Sequence, residues 1–112
     1  MSARMRRVDE AVREVLGETI TKDLKDPRVG FVTVTEVRTS PDLRHARVYV
    51  SVLGSEPERE ASLDGLRSAH GFLQGRLAAE LRLKHTPELT FVIDDTAERA
   101  ARLETIIKQV DE

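Results

Sequence analysis

A two-layer α+β domain is what this sequence predicts, and three observations carry that reading. An apolar stripe of helical spacing opens the chain, two β-branched stretches follow it, and a long leucine stripe then leads to a third short strand pattern. The 112 residues match the usual size of one domain and no linker divides them, so residues 1–112 read as a single domain. At that length folding buries roughly two-thirds of the chain's surface, enough for a core without disulfides or metals.

The first helix is expected from about Arg7 to Asp23, where Val8, Val12, Val15, Leu16, Thr19, Ile20 and Leu24 recur at a spacing near 3.6. Pro27 disfavours helical backbone at Asp26, and Gly30 then turns the chain into the next element. Phe31 to Thr39 reads as a strand. Val32 and Val34 share one face and Val37 falls on the other, which predicts a bulge. Ser40-Pro41-Asp42 carries turn chemistry, so the second strand, with Ala46, Val48, Val50 and Val52 inward, forms an antiparallel hairpin with the first and points Arg47 away from the core.

Ser55 and Glu58 match a capping box that opens a long helical pattern. Its stripe is Leu63, Leu66, Leu73, Leu77 and Leu81, with Ala69 and Phe72 alongside as core, ending at Leu83. Gly71 in the middle costs about 1 kcal/mol relative to alanine, so a kink or a close backbone approach is expected there. Gly71 and Gly75 together spell GxxxG, read as close helix packing in a charged, non-membrane setting. Glu88 to Asp94 is a third strand, and Asp94-Asp95-Thr96 caps a last helix with Ala100, Leu103, Ile106, Ile107 and Val110 on one face. The predicted order is α-β-β-α-(kink)-α-β-α, with the helices on one face of a three-stranded sheet.

Composition narrows the chemistry. There is no cysteine, which removes disulfides, thiolate metal sites and cysteine nucleophiles together. The charged N-terminus lacks a signal-peptide pattern and no apolar run approaches a membrane span, so a soluble cytoplasmic protein is expected. His45, His70 and His85 fall in three different local settings, with neither zinc-ligand spacing nor a serine motif nearby. Asp94 and Asp95 fit helix capping better than acid-base work. No GxGxxG or P-loop occurs. An enzyme is therefore not expected, and neither a cofactor nor a metal is called for.

The net charge of −2 hides an uneven distribution, because residues 1–53 hold ten Lys/Arg against eight Asp/Glu and residues 54–112 hold eight against twelve. Basic residues recur in the first helix, its exit, the hairpin and the end of the leucine-rich helix, where they can neutralise phosphates. A salt-bridged, solvated surface is the competing expectation. With Phe31, Tyr49, Phe72 and Phe91 the sole aromatic residues, recognition of folded RNA by shape and backbone suits the inventory better than base stacking.

The blocks Lys25-Asp26-Pro27-Arg28-Val29-Gly30, Ser40-Pro41-Asp42-Leu43, Ala46-Arg47-Val48-Tyr49-Val50, Ala69-His70-Gly71-Phe72 and Pro87-Glu88-Leu89-Thr90-Phe91 occur in the order that resembles the bacterial ribosome-binding factor A family. That resemblance implies a type II KH-like fold. It also implies an assembly factor for the small (30S) ribosomal subunit that supports late maturation and 16S rRNA processing and is linked to growth in the cold. Partners would be free subunits, their 16S rRNA and other assembly factors, with the protein acting as a monomer. No GxxG loop is present, and Ala69-His70-Gly71 looks like the family's interhelical kink, a departure from ordinary KH-style strand binding. The residues expected to touch phosphate are Arg6, Arg7, Lys25, Arg28, Arg44, Arg47, Arg76, Arg82 and Lys84, with Ala69, His70 and Gly71 shaping the surface. The alternative is a module that docks a protein through a strand edge or helix face, RNA contact being incidental.

Overall fold

The computed structural model describes residues 3–95. Helix α1 (Ala3–Lys22) leads to the strands β1 (Val32–Thr39) and β2 (His45–Val52), then to helices α2 (Glu56–Ser68) and α3 (His70–Leu81) and to the strand β3 (Glu88–Ile93). This is the expected α+β order as far as β3. The helix expected after Asp95 lies outside the described residues.

Helix α1 begins four residues before the expected start. Ala3, Arg4, Met5 and Arg6 are good helix formers, but their turn carries no stripe that periodicity could detect. The buried face is Asp9, Val12, Leu16, Thr19 and Ile20. It packs on β1 and α3.

The sheet has the order β1-β2-β3, with β1 antiparallel to β2 and β3 parallel to it. A bulge falls between Val34 and Glu36, where the expected change of face occurs. It is what lets Val34 and Val37 both point into the core, beside Ala46, Val48, Val50 and Val52 of β2 and Leu89 and Phe91 of β3. Beyond the bulge Arg38 stands directly opposite Arg47, and Arg47 is level with Thr90. These three residues are exposed on the opposite face, which none of the described helices covers.

Ser55 caps α2 in extended backbone: its Oγ accepts from the Glu58 N–H at 3.4 Å, and Glu58 Oε1 accepts from the Ser55 N–H at 3.2 Å. The helix breaks at Ala69 (φ −86°, ψ 8°), meeting the expectation of a kink. Leu66, Leu73 and Leu77 are buried, each side chain contributing about 1.5–3 kcal/mol through removal from water. Two expectations are corrected. Phe72 is 47% exposed, because it lies beside the leucine stripe and not on it. Gly71 and Gly75 face open space, so the GxxxG pattern marks no close helix contact. The crowded glycine is Gly65, where a Cβ would stand 2.6 Å from Cγ2 of Val29. Ser62 nearby completes the join: its Oγ accepts from the Gly30 N–H at 3.1 Å and donates to the Arg28 carbonyl at 3.3 Å. The loop between α1 and β1 is thereby fastened to α2.

Candidate nucleic-acid interface

The hairpin end of the sheet collects basic groups from separate segments. Within the loop, Asp42 accepts from the Ser40 hydroxyl at 2.6 Å and from the Arg44 N–H at 3.0 Å, and Ser40 Oγ accepts from the His45 N–H at 3.1 Å. The Ser40 hydroxyl, then the Arg44 N–H, hold the Asp42 carboxyl below its ordinary range, so its charge is used inside the loop. The α3–β3 connection joins here, the Glu88 N–H donating to the Arg44 carbonyl at 2.8 Å. Arg44, His45, His85, Thr86 and Glu88 line an open depression of about 390 Å³. Lys84 precedes His85 in the same connection.

Leu43 (φ 61°) and Arg82 (φ 47°) are the non-glycine residues in left-handed backbone among those described, one in each of the two loops that meet at this end. Such a conformation costs a non-glycine residue roughly 1–2 kcal/mol. Arg82 takes it as the C-cap of α3, which turns the chain out of the helix toward Lys84.

The remaining expected contacts are distributed. Arg6 lies along the outer edge of β1, in a depression shared with Glu10, Arg13 and Glu36, where Arg13 is ion-paired with Glu10. Arg7 is exposed on the first turns of α1, and Arg47 is on the helix-free sheet face. Lys25 and Arg28 occupy the α1–β1 loop, at the end of the sheet away from the hairpin. Arg28 is committed locally: Nη2 donates to Asp26 Oδ2 at 2.7 Å, Nε to Oδ1 at 3.1 Å and the backbone N–H to Oδ1 at 2.9 Å. That guanidinium pushes the Asp26 carboxyl below its ordinary range. Arg76 bonds Asp23 at 2.9 Å while lying 5.5 Å from the centre of the Phe72 ring. At the kink, Ala69 and His70 are half-buried and Gly71 is exposed.

The nine cations therefore do not form one patch. Arg44, Arg82 and Lys84 belong to the hairpin end; Lys25, Arg28 and Arg76 belong with the exit of α1 and its contacts; Arg47 is on the sheet. Arg28 and Arg76 have carboxylate partners, whereas the other seven have no ion pair among the described residues. Sequence reasoning passed over Arg38 and His45, which the strand register sets beside Arg47 and Arg44. The turn residues announced the hairpin, but the bulge that fixes Arg38 against Arg47 required the register itself.

No group of three or more His, Cys, Asp or Glu among the described residues could hold a metal ion. Nor is any described helix long and apolar enough to cross a membrane.

The family model described as ribosome-binding factor A matches residues 4–107. Among solved structures, the crystal structure of ribosome-binding factor A from Thermus thermophilus is 31% identical, with a TM-score of 0.71 over 80% of this chain and 94% of that one. The solution structure of a Thermotoga maritima protein assigned as a ribosome binding factor A is 36% identical, with a TM-score of 0.73 over 82% of this chain and 88% of that one. The Thermus thermophilus factor as fitted into a cryo-EM map of a 30S complex is 32% identical, with a TM-score of 0.66 over 78% of this chain and 91% of that one.

Proposed function

Because the chain belongs to the ribosome-binding factor A family, we propose that it binds free small ribosomal subunits and assists their late maturation, including processing of 16S rRNA. It acts by recognising the backbone and shape of folded rRNA, as a cytoplasmic monomer and without catalysis. The observation that carries this reading is the hairpin end, where Arg44, Arg82 and Lys84 have no ion pair among the described residues and are held by loops that are themselves hydrogen-bonded. Cations presented on ordered loops gain affinity by releasing counterions from phosphates and lose little conformational freedom in doing so.

The mechanism is a shift of population. A protein that binds one rRNA conformation better than its competitor favours that conformation by the difference in affinity, with no nucleotide hydrolysis in the step. Mispaired RNA helices escape more slowly in the cold, where such a bias matters most.

The test is sedimentation of tagged protein from a cell extract, with the wild type expected among free small subunits and absent from polysomes. An Arg44→Glu, Arg82→Glu, Lys84→Glu variant that folds normally is expected near the top of the gradient. Co-migration of that variant with subunits would remove the hairpin end from the interface. One observation favours a protein-docking role instead: Phe31 and Leu53, 81% and 76% exposed, adjoin at the opposite end of the sheet, where the Leu53 N–H donates to the Phe31 carbonyl at 3.1 Å. Titration against protein-free 16S rRNA over a salt series separates the readings, since protein docking predicts weak RNA binding with a shallow salt dependence.

A further inference from the structure

Arg38 and Arg47 occupy directly opposed positions in the antiparallel ladder, and both are exposed on the helix-free face. Like charges placed this way destabilise a sheet, so the pair is costly to the fold on its own account. Both guanidinium groups are nonetheless positioned. Arg38 Nε donates to Glu36 Oε1 at 2.9 Å, and its guanidinium carbon stands 6.0 Å from the centre of the Tyr49 ring. Arg47 Nη1 reaches the Tyr49 hydroxyl at 3.4 Å. Glu36 engages Arg38 through Nε, leaving its two Nη groups for another acceptor.

These arginines line a depression of about 410 Å³ with Ser40, His45 and Thr90, and none of the described residues lining it is acidic. Its polar side chains are guanidinium, imidazole and hydroxyl groups, all able to donate to an anion. The nearby Glu88 carboxylate stands 4.0 Å from His45 Nδ1, at the margin. His45 also lines the depression at the hairpin end, so the two anion-suited surfaces are continuous. A single small anion would use one of them. A chain of phosphates would use both.

We propose that Arg38 and Arg47, arranged around Tyr49, form a phosphate clamp that grips the RNA backbone on the helix-free sheet face and continues the contact begun at the hairpin end. The proposal rests on the reading that the chain docks on rRNA. Guanidinium groups suit the role because each offers a planar fork that can make paired hydrogen bonds to phosphate oxygens, which an ammonium cannot reproduce.

The experiment titrates purified free small subunits with the full chain over a salt series and compares the wild type with Arg38→Gln/Arg47→Gln and Arg38→Lys/Arg47→Lys. The glutamine pair is expected to bind about tenfold more weakly, the scale of one good bidentate contact. Its salt slope should fall by about 1. Its thermal midpoint should be unchanged or higher, because a like-charge repulsion has been removed. The lysine pair should keep the salt slope while losing affinity several-fold, roughly the cost of losing a forked geometry. Wild-type affinity and slope in the glutamine pair would overturn the clamp and leave subunit binding standing. Wild-type affinity in the lysine pair would overturn it in favour of diffuse attraction, and weakened binding with a lowered midpoint would assign the arginines to folding. Absence of binding by the wild type would sink the rRNA reading itself.

Discussion

Asp9 of α1 is bonded to Thr39 at the far end of β1, accepting from its backbone N–H at 2.9 Å and from its hydroxyl. Asp9 is 8% exposed and Thr39 5%, so the contact ties the first helix to the hairpin end of the sheet inside the fold. Asp9→Ala leaves two buried donors unsatisfied and is expected to cost about 2–3 kcal/mol. Urea unfolding measures this, and a loss below about 0.5 kcal/mol, the level of an ordinary surface change, would show that the tie contributes little.

Gly65 and Gly75 should respond to alanine with opposite signs. At Gly65 the new methyl would meet Val29 Cγ2 at 2.6 Å, with Cβ of Arg28 and Cγ of Asp26 each at 3.5 Å, and the Ser62 bonds oppose movement of the loop. A destabilisation of about 1–3 kcal/mol is expected from overpacking. At Gly75, within α3 and facing open space, alanine should stabilise by about 0.5–1 kcal/mol through helix propensity. Parallel urea midpoints of the two variants decide the matter.

Acid should weaken the fold through its hydrogen-bonded carboxylates. Glu58 is held below its ordinary 4.5 by the Ser55 N–H and then the Ser55 hydroxyl, and Asp26 below its ordinary 3.8 by the Arg28 side chain. The folded state releases these protons more readily than the unfolded chain, so the stabilisation is complete above those ordinary values and drains away as the pH falls through the lower folded ones. The thermal midpoint should hold steady from neutral pH down to about 5 and decline below about 4.5. Glu58→Gln should lower the neutral-pH midpoint and flatten the decline. A decline as steep as the wild type's would exclude Glu58 as a source.

Free cations should matter more to binding than paired ones. Arg44→Gln is expected to weaken subunit binding several-fold and lower the salt slope by about 1. Arg28→Gln should do less, since Arg28 is already engaged in three hydrogen bonds with Asp26. Salt-series titrations rank the two, and a larger effect from Arg28 would mean that its pair opens on docking.

The sheet and capping devices were legible because they are local. Alternation from Ala46 to Val52, the change of face between Val34 and Val37, and the Ser55–Glu58 box each declare themselves within a few residues. The first turn of α1 was missed because Arg4, Met5 and Arg6 bury nothing that marks a period. Phe72 was misread because adjacent helical positions differ by about 100°, enough to move a ring from the core stripe beside Leu73 into solvent. Gly65 gave no signal, since what crowds it is Val29, a residue brought in by the tertiary fold. The cations were the least legible part. Their types were readable, but whether each meets a carboxylate is decided by contacts such as Arg76 with Asp23, across 53 positions.

The parallel pairing of β3 with β2 has a consequence for how the protein is made. Strand β2 is central, yet its second neighbour begins only at Glu88, after both α2 and α3. During translation a nascent chain that has not yet released residues 88–93 therefore carries a valine-rich strand with one row of amides and carbonyls unpaired. Newly synthesised copies are most open to aggregation in that interval, and arrival of the last strand closes it.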